Sequence, residues 1–263
     1  MIQQTLRIGV LQTNLIWNDV EANLSAFEQQ INEVTEEVDL FILPEMFSTG
    51  YCMKPDQVAH TAGEQSLEWL IKQARRRKAG FCGSVMYRLK DGRFVNRMFL
   101  VDSDGSLFHY DKWHRFAMAG EDKAYATGSR KPVVAIFRGW KLLLQVCYDL
   151  RFPVYSRNRQ DGYDAAIYVA NWPVPRRLHW RTLLCARAIE NQAYCIGVNR
   201  IGKDENGLKY SGDSLVFDAL GTSILDMLET SGVGLVDLHH SSLVETRRRL
   251  PFLADADSYR LHD

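Results

Sequence analysis

No apolar run in the 263-residue chain approaches the roughly 20 residues needed to span a bilayer. Neither charge is in excess, because 32 Lys and Arg balance 32 Asp and Glu. That balance excludes the basic footprint of a nucleic-acid binder and a polybasic membrane surface. The five cysteines (Cys52, Cys82, Cys147, Cys185 and Cys195) are odd in number and contain no CxxC pair. Neither a disulfide framework nor a structural zinc site is expected from them. The sequence also lacks GxxxxGK[ST], GxSxG and HExxH, which removes P-loop, serine-hydrolase and zincin chemistry. A cysteine phosphatase needs an Arg six residues after its Cys, where Cys147 has Pro153. The opening MIQQTLRIGVLQTN alternates like a strand and shows no signal-peptide core. The expectation is a reduced, soluble, cytoplasmic protein.

An ordinary 46% hydrophobic content gives enough apolar material for a sizeable core. LRIGVLQTN reads as a first strand. Asn18 and Glu21 then resemble a capping box opening a helix with Leu24, Phe27, Ile31 and Val34 on one face. VDLFIL is a short strand stopped by Pro44. EQSLEWLIKQARRRKAG is a helix predicted to end at Gly80, its Arg75–Lys78 run being a solvated last turn that complements the helix dipole. FCGSVMYR, RFVNRMFLVD and SLFHYDK read as strands joined by Asp-Gly turns, and PVVAIFRGWKLLLQVCYD as a hairpin around Gly139. YDAAIYVAN, the helix LHWRTLLCARAIENQA with Leu183, Leu184 and Ala188 inward, and YCIGVNR follow. SLVFDALGTSILDM and GVGLVDL add strands before a last helix, SSLVETRRRL. Strands and helices interleave with no linker, repeat or low-complexity tract. The expectation is one domain over residues 1–263 with two sheets covered by helices, an α-β-β-α sandwich; a single doubly wound sheet is the alternative.

Charged or reactive residues interrupt three strand ends: Glu45 in LFILPEMF, Lys112 in FHYDKWHRF and Cys147 in LLLQVCYDLRF. Each alone has a bland reading, as a turn residue, a solvated lysine or a core thiol. Together they form a chemical set. A thiol of pKa about 8.5 is only a few per cent thiolate at neutral pH. A nearby ammonium lowers that pKa, and a carboxylate can take the proton. At about 4 Å and an effective dielectric near 20, the ion pair is worth roughly 4 kcal/mol. The ammonium can later hold an oxyanion, so the trio suits acyl transfer.

LPEMFSTGY, YDKWHRF, GED, VCYDLRFP, ANWP, ARAIENQAY and YSGDSLVFD occur in that order. With them the chain resembles the nitrilase superfamily of carbon–nitrogen hydrolases over nearly its whole length. The resemblance implies the α-β-β-α sandwich, no metal or organic cofactor, and a homodimer. It implies Cys147 as nucleophile, Glu45 as proton acceptor and donor, and Lys112 with the Tyr148 backbone N–H as oxyanion donors. Glu121, nine residues after Lys112, would position it; otherwise it is a surface Glu. Asp149 and Arg151 either pair with each other to shape the turn or leave Arg151 for a substrate carboxylate.

CYDLRFP, NWP and the following helix look most like the omega-amidase branch. That branch hydrolyses the terminal amide of 2-oxoglutaramate and 2-oxosuccinamate to the 2-oxo acid and ammonia. The implied partner is a small amide carrying a carboxylate. Aromatic walls and an arginine would suit it, with Phe47, Tyr51, Phe116 and Trp172 as walls and Arg151, Arg176 and Arg177 as charges. NWPVPRRLHW departs from the family pattern, in which small residues can replace the two arginines; these two either bind the carboxylate or face solvent. A deaminated-glutathione amidase is the nearest rival. A true nitrilase, a carbamoylase and a non-catalytic binding protein stand further off.

Overall fold

A computed structural model of the chain describes residues 2–58, 60–159 and 162–259. Apolar alternation in the first half builds β1 (Thr5–Gln12), β2 (Leu40–Ile42), β3 (Gly80–Arg88), β4 (Phe94–Val101) and β5 (Leu107–Asp111). Between them run α1 (Val20–Glu33) and α2 (Ala62–Arg77), and one turn, α3 (Glu121–Ala124), follows. The second half builds β6 (Val133–Phe137), β7 (Trp140–Val146), β8 (Ala165–Ala170), α4 (Arg177–Asn191) and β9 (Tyr194–Asn199). Then come a small hairpin, β10 (Ile201–Lys203) with β11 (Lys209–Ser211), and β12 (Leu215–Phe217) and β13 (Ser223–Asp226). The last elements are β14 (Gly232–His239) and α5 (His240–Arg249).

Two six-stranded sheets result, ordered β14-β1-β2-β3-β4-β5 and β13-β12-β9-β8-β7-β6. This is the α-β-β-α sandwich, and two separate sheets exclude the doubly wound alternative. Period-two alternation decides which face each residue takes. Leu6, Ile8 and Val10 of β1 meet Leu142, Leu144 and Val146 of β7 in the core between the sheets. Leu11, Phe41 and Phe81 point the other way, onto Phe27 and Ile31 of α1 and Leu70 of α2. Leu143, Ala166 and Tyr168 likewise pack under Trp180, Leu184 and Ala188 of α4, with Leu183 only half-buried at the edge.

Three local expectations need correction. Asp19, not Asn18, caps α1, its side chain accepting from the Ala22 N–H at 3.0 Å; Asn18 sits at φ 52° before the cap. α2 ends at Arg77 with Lys78 in the left-handed region, and Gly80 opens β3. Gly80 is glycine for space, since a Cβ there would stand 2.5 Å from the Phe137 ring. The arginine run is only partly solvated: Arg76 pairs with Glu28 at 2.9 Å and Arg77 donates to the Val34 carbonyl, which ties α2 to α1. Among the described residues, no helix is long and apolar enough to cross a membrane.

Candidate active site

β2, β5, β7 and β8 deliver Glu45, Lys112, Cys147 and Asn171 from their carboxyl ends. In α/β sheets this is where short apolar strands give way to loops that can carry chemistry. The Lys112 Nζ lies 2.9 Å from Glu45 Oε1 and 2.9 Å from each Glu121 carboxylate oxygen. None of the three side chains is more than 1% exposed.

Burying such charges costs several kcal/mol each unless they are paired and hydrogen-bonded. The surroundings meet that demand. Asn96 Nδ2 donates to Glu45 Oε1 at 2.8 Å, and the Asn171 N–H donates to Glu45 Oε2 at 2.9 Å. Asn171 Nδ2 holds the Glu45 carbonyl at 2.7 Å. Glu121 Oε2 accepts from the Tyr51 hydroxyl at 2.9 Å and the Phe116 N–H at 2.6 Å. Burial pushes the Lys112 ammonium down, but Glu121 and Glu45 outweigh it and hold its pKa well above the ordinary value. Lys112 therefore stays charged. Glu121 lies inside this network, so the surface alternative for it does not hold.

Cys147 is the first residue of a 3₁₀ turn, Cys147–Arg151, and has φ 46°. A side chain in the left-handed region costs of order 1–3 kcal/mol and persists only where its surroundings over-determine it. Burial pushes the thiol well above its usual pKa; the Glu45 charge adds to this and Lys112 pulls back. The thiol is therefore neutral at rest, and the expected lowering by Lys112 is outweighed.

Cys147 opens onto a cavity of about 400 Å³. Of the expected walls, Tyr51, Phe116 and Trp172 line it, together with Tyr148, Arg151 and Arg176. The Arg151 guanidinium lies 4.8 Å from the Trp172 ring centre and 3.1 Å from His179 Nδ1. Arg176 lies 5.3 Å from the Phe116 ring centre. Two expected residues are elsewhere. Phe47 is fully buried behind the site, edge-on to Phe27 and against Trp69. Arg177 turns away to Asp213 at 2.7 Å and Glu229 at 4.0 Å. The Asp149–Arg151 pair is also absent, because Asp149 is taken by Tyr110, His114 and the Val146 N–H.

Sequence reasoning missed Asn96, Asn171, Lys54 and the β10–β11 hairpin, whose Asp204, Glu205 and Tyr210 form one wall of the cavity. Asn96 left a signal, as an amide in the same alternating set as the apolar Phe94, Met98 and Leu100 of RFVNRMFL. The hairpin left IGKDENGLKYS, whose Asn-Gly marks a turn.

The chain that carries this layout, a buried carboxylate–ammonium–carboxylate cluster beside a strand-end thiol, is similar to known proteins. Residues 7–248 match the carbon–nitrogen hydrolase family, and the chain belongs to that family of hydrolases. It is 46% identical over 98% of its length to 99% of an omega-amidase, YafV, of Yersinia enterocolitica. It is 29% identical over 94% of its length to 96% of a 2-oxoglutaramate amidase of Bacillus subtilis. Among solved structures it resembles a CN-hydrolase superfamily protein from Xanthomonas campestris, solved with an arsenic adduct in its active site. That match has a TM-score of 0.94 and 37% identity, covering 99% of this chain and 100% of the other.

Proposed function

We propose that the chain is an omega-amidase, hydrolysing the terminal amide of 2-oxoglutaramate, and of 2-oxosuccinamate, to the 2-oxo acid and ammonia. The observation that carries this is the fully buried Glu45–Lys112–Glu121 cluster beside Cys147, which itself lines a cavity with cations on its wall. The relatives named for this reaction support the substrate class. The carboxylate of such a substrate would meet Arg151 or Arg176, while its carbon chain lies against Tyr51, Phe116 and Trp172.

In this reading Cys147 attacks the amide carbon as Glu45 takes the thiol proton. The thiol is neutral at rest, so a base at the moment of attack is required rather than optional. Lys112 and the Tyr148 backbone N–H hold the oxyanion, and Glu121 holds Lys112. Glu45 passes its proton to the amide nitrogen, the C–N bond breaks, and ammonia leaves a Cys147 thioester. Glu45 then draws a proton from water, hydroxide adds to the thioester, and Cys147 departs with the proton as the acid forms.

Homodimer assembly and residence in the cytoplasm belong to the same proposal. Leu178 and Ile189 of α4 are 75% and 51% exposed, an apolar surface that a second copy would cover. Five unpaired thiols suit a reducing compartment. The deciding test is ammonia release from 2-oxoglutaramate beside deaminated glutathione, glutamine and a simple nitrile. Preference for 2-oxoglutaramate is expected. Activity on deaminated glutathione alone would move the substrate to the rival branch, and silence on all four would leave a binding protein.

A further inference from the structure

One fully buried carboxylate lies outside the proton chemistry and touches both halves of the site. Asp149 is 0% exposed, accepts three hydrogen bonds and has His114 Nδ1 as a fourth partner. Its Oδ2 takes the Val146 N–H at 3.0 Å and the Tyr110 hydroxyl at 2.8 Å. Its Oδ1 takes the His114 N–H at 3.1 Å and lies 2.7 Å from His114 Nδ1. Tyr110 in turn accepts the Trp113 N–H at 3.0 Å.

The sequence positions of these partners give the arrangement its meaning. Val146 and Asp149 bracket Cys147, so the turn closes on the one residue held at φ 46°. Tyr110, Trp113 and His114 bracket Lys112. A single carboxylate thus joins the segment carrying the thiol, from the second sheet, to the segment carrying the ammonium, from the first. His114 is itself fixed by stacking on Phe152, 3.8 Å between ring centres, just past the same turn. The left-handed backbone at Cys147 needs such over-determination, and Asp149 supplies it from both sides.

We propose that Asp149, with His114, is a positioning residue that sets the Cys147 sulfur against Lys112 and Glu45. This rests on Cys147 being the nucleophile. Asparagine cannot replace the carboxylate here. Whichever oxygen becomes the amide nitrogen faces a backbone N–H, of Val146 or of His114, and two donors then oppose each other.

The test compares wild type, Asp149→Asn, His114→Ala and His114→Asn in the full chain. It measures the iodoacetamide alkylation rate of Cys147 by peptide mass, together with kcat and KM on 2-oxoglutaramate. Asn191→Ala serves as a control that removes a buried hydrogen bond to Asn158 at the end of α4 and costs stability alone. Asp149→Asn is expected to lower kcat and the alkylation rate together by about a hundredfold, because a small displacement of a reacting atom costs that much. KM should stay within about threefold, since the cavity wall is untouched. His114→Ala should slow alkylation, and His114→Asn, whose amide nitrogen can stand in for Nδ1, should restore most of it. A folded Asp149→Asn with wild-type alkylation and kcat overturns the proposal. If Asp149→Asn does not fold, the His114 pair decides, and equal rates in Ala, Asn and wild type overturn it. An active Cys147→Ala would instead sink the assignment of Cys147 as nucleophile, and this proposal with it.

Discussion

The floor and the wall of the cavity are held in opposite ways. Under the floor, behind Cys147, the side chains of Glu45, Lys112, Glu121 and Asp149 are fully buried, and each is fixed by several hydrogen bonds of 2.6 to 3.1 Å. On the wall, Arg151 and Arg176 are half-buried and rest mainly on aromatic rings. Fixed donors and charges act at the reacting atoms, where reorganisation would cost rate. A cation stacked on a ring keeps its hydrogen-bonding edge available and can adjust to a ligand. The floor is thus built for one reaction and the wall for choosing what undergoes it. Changes to the floor should act on kcat, and changes to the wall on KM.

The largest effect expected is loss of the nucleophile. Cys147→Ala should cut amide hydrolysis by at least about 10⁴-fold, with substrate binding retained by calorimetry. Glu45→Gln comes next, at about 10²–10⁴-fold in kcat, the range for a lost general base. Lys112→Met should add a stability penalty of about 3–5 kcal/mol, because it leaves two buried carboxylates without their shared cation. Urea titration would register that loss beside the loss in rate. A Lys112→Met protein as stable as wild type would contradict the ion network as described.

A pH experiment separates the thiol from its base. Burial and the Glu45 charge keep the Cys147 thiol neutral through pH 7–9. In wild type, Glu45 takes the proton during attack, so iodoacetamide should alkylate Cys147 at a nearly constant rate across that range. Glu45→Gln removes the base, and only pre-formed thiolate reacts. Its rate should then rise about tenfold per pH unit while the thiol stays below its pKa. A steep profile in wild type would mean that Glu45 does not receive the proton.

What could be read from the sequence follows the same division. Glu45, Lys112 and Cys147 stand out because charge or thiol interrupts an apolar strand, and apolar runs between turn residues mark most strands while leaving one sheet or two open. The wall was harder. Phe47 and Tyr51 are four residues apart in one loop, where no period says which ring faces inward. Left-handed turns at Met46 and Gly50 decide it, sending Phe47 behind the sheet and Tyr51 into the cavity. The Asp149 clamp has no counterpart in the sequence reading, which offers a local pair with Arg151 as one of two alternatives, because its partners Tyr110 and His114 come from the other sheet. Contacts at such separation leave no local pattern to count.

The smallest effects come from two adjacent arginines that the sequence treats alike. Arg176 ends the short Val174–Arg176 turn and faces the cavity, whereas Arg177 starts α4 and faces Asp213. Arg176→Ala or Arg151→Ala should raise KM for 2-oxoglutaramate by about 10- to 100-fold with kcat little changed, since a hydrogen bond to a charged group is worth about 1.5–3 kcal/mol. Arg177→Ala should leave both constants within about twofold and cost no more than about 1 kcal/mol. Its side chain is 39% exposed, and Arg181 still reaches the buried Asp213 at 2.8 Å. Steady-state kinetics on the three variants would rank the wall cations directly. A rise in KM for Arg177→Ala equal to that for Arg176→Ala would mean that Arg177 leaves Asp213 when substrate binds, and the wall would then have to rearrange around its ligand.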